Sequence, residues 1–129
     1  MKPTNLLVVA AAMVTMVGTA PRPAPADSAA GEKVFKSRCA NCHSLTPGQS
    51  TIAPDLAGVV GRKAGSLKDY KYSPALQNAD FVFTREKLEQ WLKAPHNVVP
   101  ETEMTFTGLK SETERVDVVE FLIQHAPKK

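Results

Sequence analysis

The sequence is short of several things, and each shortage excludes a class of protein. Of 129 residues only two are cysteine, Cys39 and Cys42. Two cysteines so close together cannot brace a small secreted domain as a disulfide framework. Aromatic residues make up 6 % of the chain, with a single tryptophan, Trp91. The uncharged run Leu6 to Val17 falls short of the about 20 residues that a membrane-spanning helix needs. Charge of one sign is not in large excess: 16 basic against 13 acidic residues, a formal +3. That balance, evenly spread, argues against a nucleic-acid binder. There is no internal repeat and no strand-like alternation of useful length. What remains is 43 % hydrophobic and 22 % charged, an ordinary globular composition. A wholly disordered chain, a collagen-like repeat and a multi-span membrane protein are excluded, and the length fits one domain.

The first 26 residues read as an export signal, and residues 27–129 as the working domain. Lys2 and the amino terminus carry positive charge, and LLVVAAAMVTMV follows without a charge. Gly18, Pro21, Pro23 and Pro25 then break any helix. Ala24-Pro25-Ala26 offers small residues where a signal peptidase reads them, which places the cut before Asp27. Ala20 is the other candidate, but Pro21 would follow that cut; an uncleaved N-terminal anchor is the remaining alternative. Cleavage before Asp27 removes Lys2, Arg22 and three of the four methionines, and leaves Met104 as the only methionine. An exported chain whose cysteines are no structural staple must use them otherwise.

Four helices are expected, joined by long loops. The first spans about Ser28 to Cys39, with Val34 and Phe35 on one face and Gly31 permitting close approach. A short second helix starts at Ser73-Pro74, an N-cap followed by proline in the first turn, and covers Ala75 to Ala79. A third starts at Thr84, carries Leu88, Trp91 and Leu92 at helical spacing, and stops at Pro95. The fourth opens on Ser111-Glu112-Thr113-Glu114, a capping-box pattern, and ends by Pro127. Between Ser44 and Tyr72 lie four of the seven glycines and no helical period. So long a structureless stretch counts against an ordinary fold, but it suits a loop wrapped around something large that is not protein.

Cys39-Ala40-Asn41-Cys42-His43 is the attachment pattern of c-type haem. Two thiols three positions apart can each add to one vinyl group along a porphyrin edge. The histidine that follows is placed to offer its imidazole to the iron. Other readings compete. Zinc would need two more ligands, and His96 and His125 are distant and unpaired. A redox dithiol would need a strand–helix–strand context. Chance occurrence is the third. For a second axial ligand, Met104 in a loop behind Pro100 is the expectation. His96 is the rival, and a gap-filling role is the alternative for Met104.

From Gly31 to about Leu122 the chain resembles class I cytochromes c of the mitochondrial and small bacterial type. The resemblance runs through Gly31-x3-Phe35, the CANCH motif, Ala53-Pro54-Asp55-Leu56, Gly58, Gly61-Arg62-Lys63-x-Gly65 and Tyr72-Ser73. It continues through Leu88-x3-Leu92-x2-Pro95, Pro100-x-Thr102-x-Met104-x-Phe106-x-Gly108 and Thr113-Glu114-Arg115. It implies an all-α fold wrapped around one haem c, covalently held by Cys39 and Cys42. His43 and Met104 would be the iron ligands, with the Pro54 carbonyl holding the His43 ring. Arg62, Tyr72 and Thr102 would bond the haem carboxylates. Gly31 and Phe35 would meet Phe121 between the first and last helices, and Phe106 would screen the haem edge.

There are departures from the family pattern. Phe83 stands where a tryptophan is usual, and Trp91 where a tyrosine usually donates to the methionine sulfur. Leu76 replaces a common polar residue, and Glu101 and Glu103 stand where glycine and lysine are preferred. The resemblance implies a monomeric one-electron carrier that is not an enzyme, and the export signal implies a periplasmic location. Its partners would be redox proteins: a quinol:cytochrome c oxidoreductase, a terminal oxidase, a reaction centre or a dehydrogenase. Lys33, Arg38 and Lys110 keep a basic character at the docking face, but His96, Asn97, Glu103 and Ser111 dilute it, so weak salt dependence of docking is expected. The alternatives are a haem enzyme or gas or peroxide sensor with a labile sixth ligand, and a cytochrome subunit of a dehydrogenase.

Overall fold

The computed structural model describes residues 18–21, 24–50 and 52–128. The expected apolar export run, Leu6 to Val17, lies outside the described residues. Among the described residues five helical segments follow one another: α1 Ser28–Arg38, α2 Pro74–Gln77, α3 Arg85–Lys93, α4 Pro95–Val98 and α5 Glu112–Gln124. The chain is all-α, as expected, with one segment more than the sequence indicates. Pro95 does stop α3, and it also opens the single turn α4 as its first residue. A proline that cannot continue one helix is pre-set for the first turn of another. Among the described residues no helix is long and apolar enough to cross a membrane.

The caps are where the residues place them. Asp27 accepts from the amides of Ala29 and Ala30, Ser73 from Leu76, Thr84 from Lys87 and Ser111 from Glu114. Each bond satisfies an amide that a helix start leaves without a partner.

Packing is led by α1 against α5. Gly31 lies against the backbone of Asp117, and a Cβ there would collide with the Asp117 carbonyl. Next to it Phe35 meets Phe121, ring centres 5.6 Å apart. On α5, Val118, Val119, Phe121 and Leu122 are all buried. Each such side chain contributes about 1.5–3 kcal/mol by leaving water. The described residues of 44–72 form no helix, yet they are well hydrogen-bonded. Gly61 N donates to Phe83 O at 2.8 Å, Phe83 N to Arg62 O at 2.9 Å and Ala64 N to Phe81 O at 2.9 Å. Lys63 and Val82 form an isolated antiparallel bridge. Four residues of pairing are too short for an alternating pattern to announce them.

Candidate haem cavity

The end of α1 delivers the thiols. Cys39 caps the helix, its N–H donating to Phe35 O at 2.8 Å. The chain then turns, with Cys42 N and His43 N both donating to Cys39 O, at 3.1 and 3.0 Å. Cys39, Cys42 and His43 thereby line one cavity of about 420 Å³, within the about 300–1,000 Å³ of small-molecule sites. Burial pushes the Cys39 thiol up to about 11. A redox dithiol requires the opposite, a thiol made acidic by its surroundings. Among the described residues no three His, Cys, Asp or Glu side chains group as a metal-holding set, so the four-ligand zinc reading finds no cluster.

The His43 ring is oriented by the loop that follows. Its Nδ1 lies 2.7 Å from the Pro54 carbonyl, to which an Nδ1–H donates. Nε2 is then the nitrogen left with a free lone pair. Burial holds the ring below the usual imidazole range, and the Pro54 bond partly opposes this. The neutral form, which can ligate a metal, is favoured.

Met104 reaches the same cavity from a segment pinned at both ends. Before it, Thr102 N donates to Val99 O at 3.1 Å, and the Thr102 hydroxyl accepts from Met104 N at 3.3 Å. After it, Leu109 N donates to Leu92 O at 2.7 Å. Gly108 has φ +103 and backs onto the Lys93 carbonyl with no room for a Cβ. The Arg115 guanidinium, buried, donates to Leu109 O at 2.8 Å and Lys110 O at 3.0 Å. His96, the rival ligand, is exposed; its Nδ1 lies 3.3 Å from Pro100 O, and it does not line the cavity.

Of the residues singled out in sequence, Cys39, Cys42, His43, Pro54, Tyr72, Trp91, Thr102 and Met104 all line this one cavity. Arg62 does not. Its guanidinium donates to Asp55 O at 2.7 Å and to Ala57 O, and lies 3.5 Å from the Asp55 carboxylate. It bears on the cavity through Tyr72. Burial pushes the Tyr72 phenol up, and the Arg62 charge opposes that. Trp91 packs edge-on against Phe83, ring centres 5.6 Å apart. Its indole forms no hydrogen bond among the described residues. The residue also lines the cavity.

Other residues complete the site. Asp55 is buried and braces the loop, accepting from Gly48 N and Ala57 N, both at 3.2 Å. Its position beside Pro54 was the signal, but a lone loop aspartate reads equally as a turn residue. Val59, Leu88, Val118 and Leu122 form apolar walls; helical spacing marks Leu88 as core without saying what it faces. Arg38 sits over the Phe106 ring at 5.8 Å, and both line the cavity.

The residues present fit a haem: two thiols and an imidazole on one turn, a thioether from elsewhere in the chain, and mostly apolar walls. Comparison with known proteins agrees. A family profile described as cytochrome c matches residues 28–126. Cytochrome c type-1 of Ascaris suum is 38 % identical over 102 residues, covering 79 % of this chain and 91 % of that protein. Cytochrome c of Theileria annulata is 42 % identical over 103 residues, covering 79 % and 89 %. Among solved structures, cytochrome cH from Methylobacterium extorquens aligns with a TM-score of 0.71 at 36 % identity, covering 76 % of this chain and 98 % of that one. The chain therefore belongs to the class I cytochrome c family, whose members carry electrons on one haem c joined to the protein through two cysteines, here Cys39 and Cys42.

Proposed function

We infer that this chain is a periplasmic one-electron carrier in which His43 and Met104 hold the haem iron. The observation that carries the reading is that both side chains, remote in sequence, line the same cavity as the two cysteines. When bound, the haem supplies a single ferric–ferrous couple. The protein's own residues do the rest. The Pro54 carbonyl fixes the His43 ring and leaves Nε2 free to ligate. The anchored 102–109 segment holds the Met104 thioether in place. Apolar walls exclude water, and the hydroxyls of Tyr72 and Thr102 and the Trp91 N–H offer donors to haem carboxylates or to the Met104 sulfur.

Export supports the location. Residues 24–27 have no secondary structure, and Ala24 and Pro25 are exposed, so the peptide before Asp27 is open to cleavage. The partners we assign are a quinol:cytochrome c oxidoreductase, a terminal oxidase, a reaction centre or a dehydrogenase. Arg38 and Glu103 line the same cavity with Phe106, a mixed charge that favours apolar docking with weak salt dependence. A steep fall in the reduction rate with added salt would sink that part.

The test is an optical spectrum of protein matured with haem in the periplasm, in both oxidation states. A low-spin spectrum with the far-red sulfur-to-iron band, and no carbon monoxide binding when reduced, is expected. A high-spin spectrum or ready carbon monoxide binding would replace the carrier with an enzyme or sensor having an open sixth position. Tight copurification with a large enzyme would make the chain a dehydrogenase subunit.

A further inference from the structure

The first helix begins on a contact that electron transfer does not use. The backbone N of Asp27 donates to Oδ1 of Asp117 at 2.7 Å, linking the start of α1 to the middle of α5. Asp117 is only 6 % exposed. One turn further along α1, Gly31 lies against the Asp117 carbonyl. Both contacts fall on one face of α1, because positions four apart stack on a helix.

A buried carboxylate is costly unless a cation or several donors face it. Among the described residues no Lys, Arg or His side chain forms an ion pair with Asp117; the four ion pairs lie elsewhere. The one hydrogen bond its carboxylate accepts there comes from the Asp27 amide. The Asp27 nitrogen thus lies against a largely buried carboxylate that has no cation beside it among the described residues.

We propose that cleavage of the Ala26–Asp27 bond turns this amide hydrogen bond into a partly buried ion pair between the new α-ammonium of Asp27 and the Asp117 carboxylate. The inference rests on the export reading above. The step is a hydrolysis by a signal-peptidase-type enzyme. Water adds to the Ala26 carbonyl carbon, the C–N bond breaks, and Ala26 leaves as a carboxylate. The Asp27 nitrogen becomes an amine that is mostly protonated at neutral pH.

The geometry is ready for the charge. The distance of 2.7 Å lies in the about 2.7–2.9 Å range of charge-assisted N–H···O bonds. An ammonium at a helix start meets the positive end of the helix dipole, so it needs negative charge nearby. Asp27's own carboxylate is there, accepting from Ala29 N at 2.9 Å and Ala30 N at 3.2 Å. Asp117 supplies the second. The precursor holds the contact as a neutral amide, and only the processed chain closes the α1–α5 clasp with a full charge pair.

The test uses haem-loaded protein expressed from the full sequence. Its intact mass reports the N-terminus, and a start at Asp27 is expected. Half of that protein is acetylated selectively at the α-amino group, which keeps an N–H and removes the charge. Asp117→Asn is prepared in the same two forms. Acetylation is expected to lower Tm by roughly 5 °C in the natural sequence, and by much less in Asp117→Asn. Equal losses in both, or none in either, would overturn the ion pair while leaving the export reading intact. A mature chain starting elsewhere would overturn the proposal at its first step. The optical spectrum of the same sample reports separately on the haem.

Discussion

The Nδ1 of His43 and the carbonyl oxygen of Pro54 lie 2.7 Å apart, across a turn of eleven residues. That single bond selects the ring tautomer and directs Nε2 to the cavity. Its acceptor is a backbone atom, so no substitution deletes it, but the proline ring that stiffens it can be removed. Pro54→Ala should cost about 0.4–1 kcal/mol through the freer unfolded chain. A further loss of about 1 kcal/mol is expected as the acceptor loosens. Denaturant melts of the haem-loaded protein measure the sum. A total within the first range alone would mean the loop holds its carbonyl without the ring.

Gly31→Ala should be among the most damaging single-methyl additions. Its Cβ would collide with the carbonyl carbon and oxygen of Asp117, backbone atoms that cannot rotate away. The helices would have to separate where Phe35 meets Phe121. A loss of about 3 kcal/mol or more is expected from such overpacking, read as a fall in Tm. Ser at position 31 should behave alike, since it carries the same Cβ.

Asp55→Ala should destabilise by about 3 kcal/mol. It removes the acceptor for Gly48 N and Ala57 N and leaves the largely buried Arg62 guanidinium without its counter-charge. Asp55→Asn keeps one side-chain oxygen as an acceptor and should cost less. Equal losses for the two substitutions would show that the carboxylate charge, rather than a side-chain acceptor, is what Arg62 and the loop require.

The Arg85–Glu120 pair predicts a pH signature. The Arg85 guanidinium, 2.6 Å away, holds the Glu120 carboxyl below its ordinary 4.5, with help from Gln124. The folded value is lower than the unfolded one. The pair's stabilisation is therefore complete above about pH 4.5 and fades as pH falls through the folded value. With the Arg85 side chain 37 % exposed, solvent screening limits the effect to about 0.5–1 kcal/mol. Glu120→Gln should be less stable than the natural protein at pH 7, and the difference should close in acid. A gap that persists at low pH would assign it to packing.

Much of this protein is determined locally, and so is legible in the residues. Helix starts at Asp27, Ser73, Thr84 and Ser111 depend on a side chain reaching an amide two or three positions on. The cysteine pair and His43 share one turn, so their spacing alone defines the chemistry they can do. What the tertiary structure decided involves partners remote in the chain. Nothing near Met104 says that it meets His43 across a cavity. The α4 turn depends on Pro95 being used twice, and the 61–64 and 81–83 pairing is too short to pattern. The Asp27 nitrogen and Asp117 lie at opposite ends of the domain's sequence, and only the packing of α1 on α5 brings them together. Short-range hydrogen bonding and covalent spacing write themselves into the sequence. Burial and charge pairing do not, because they exist only once distant segments are packed.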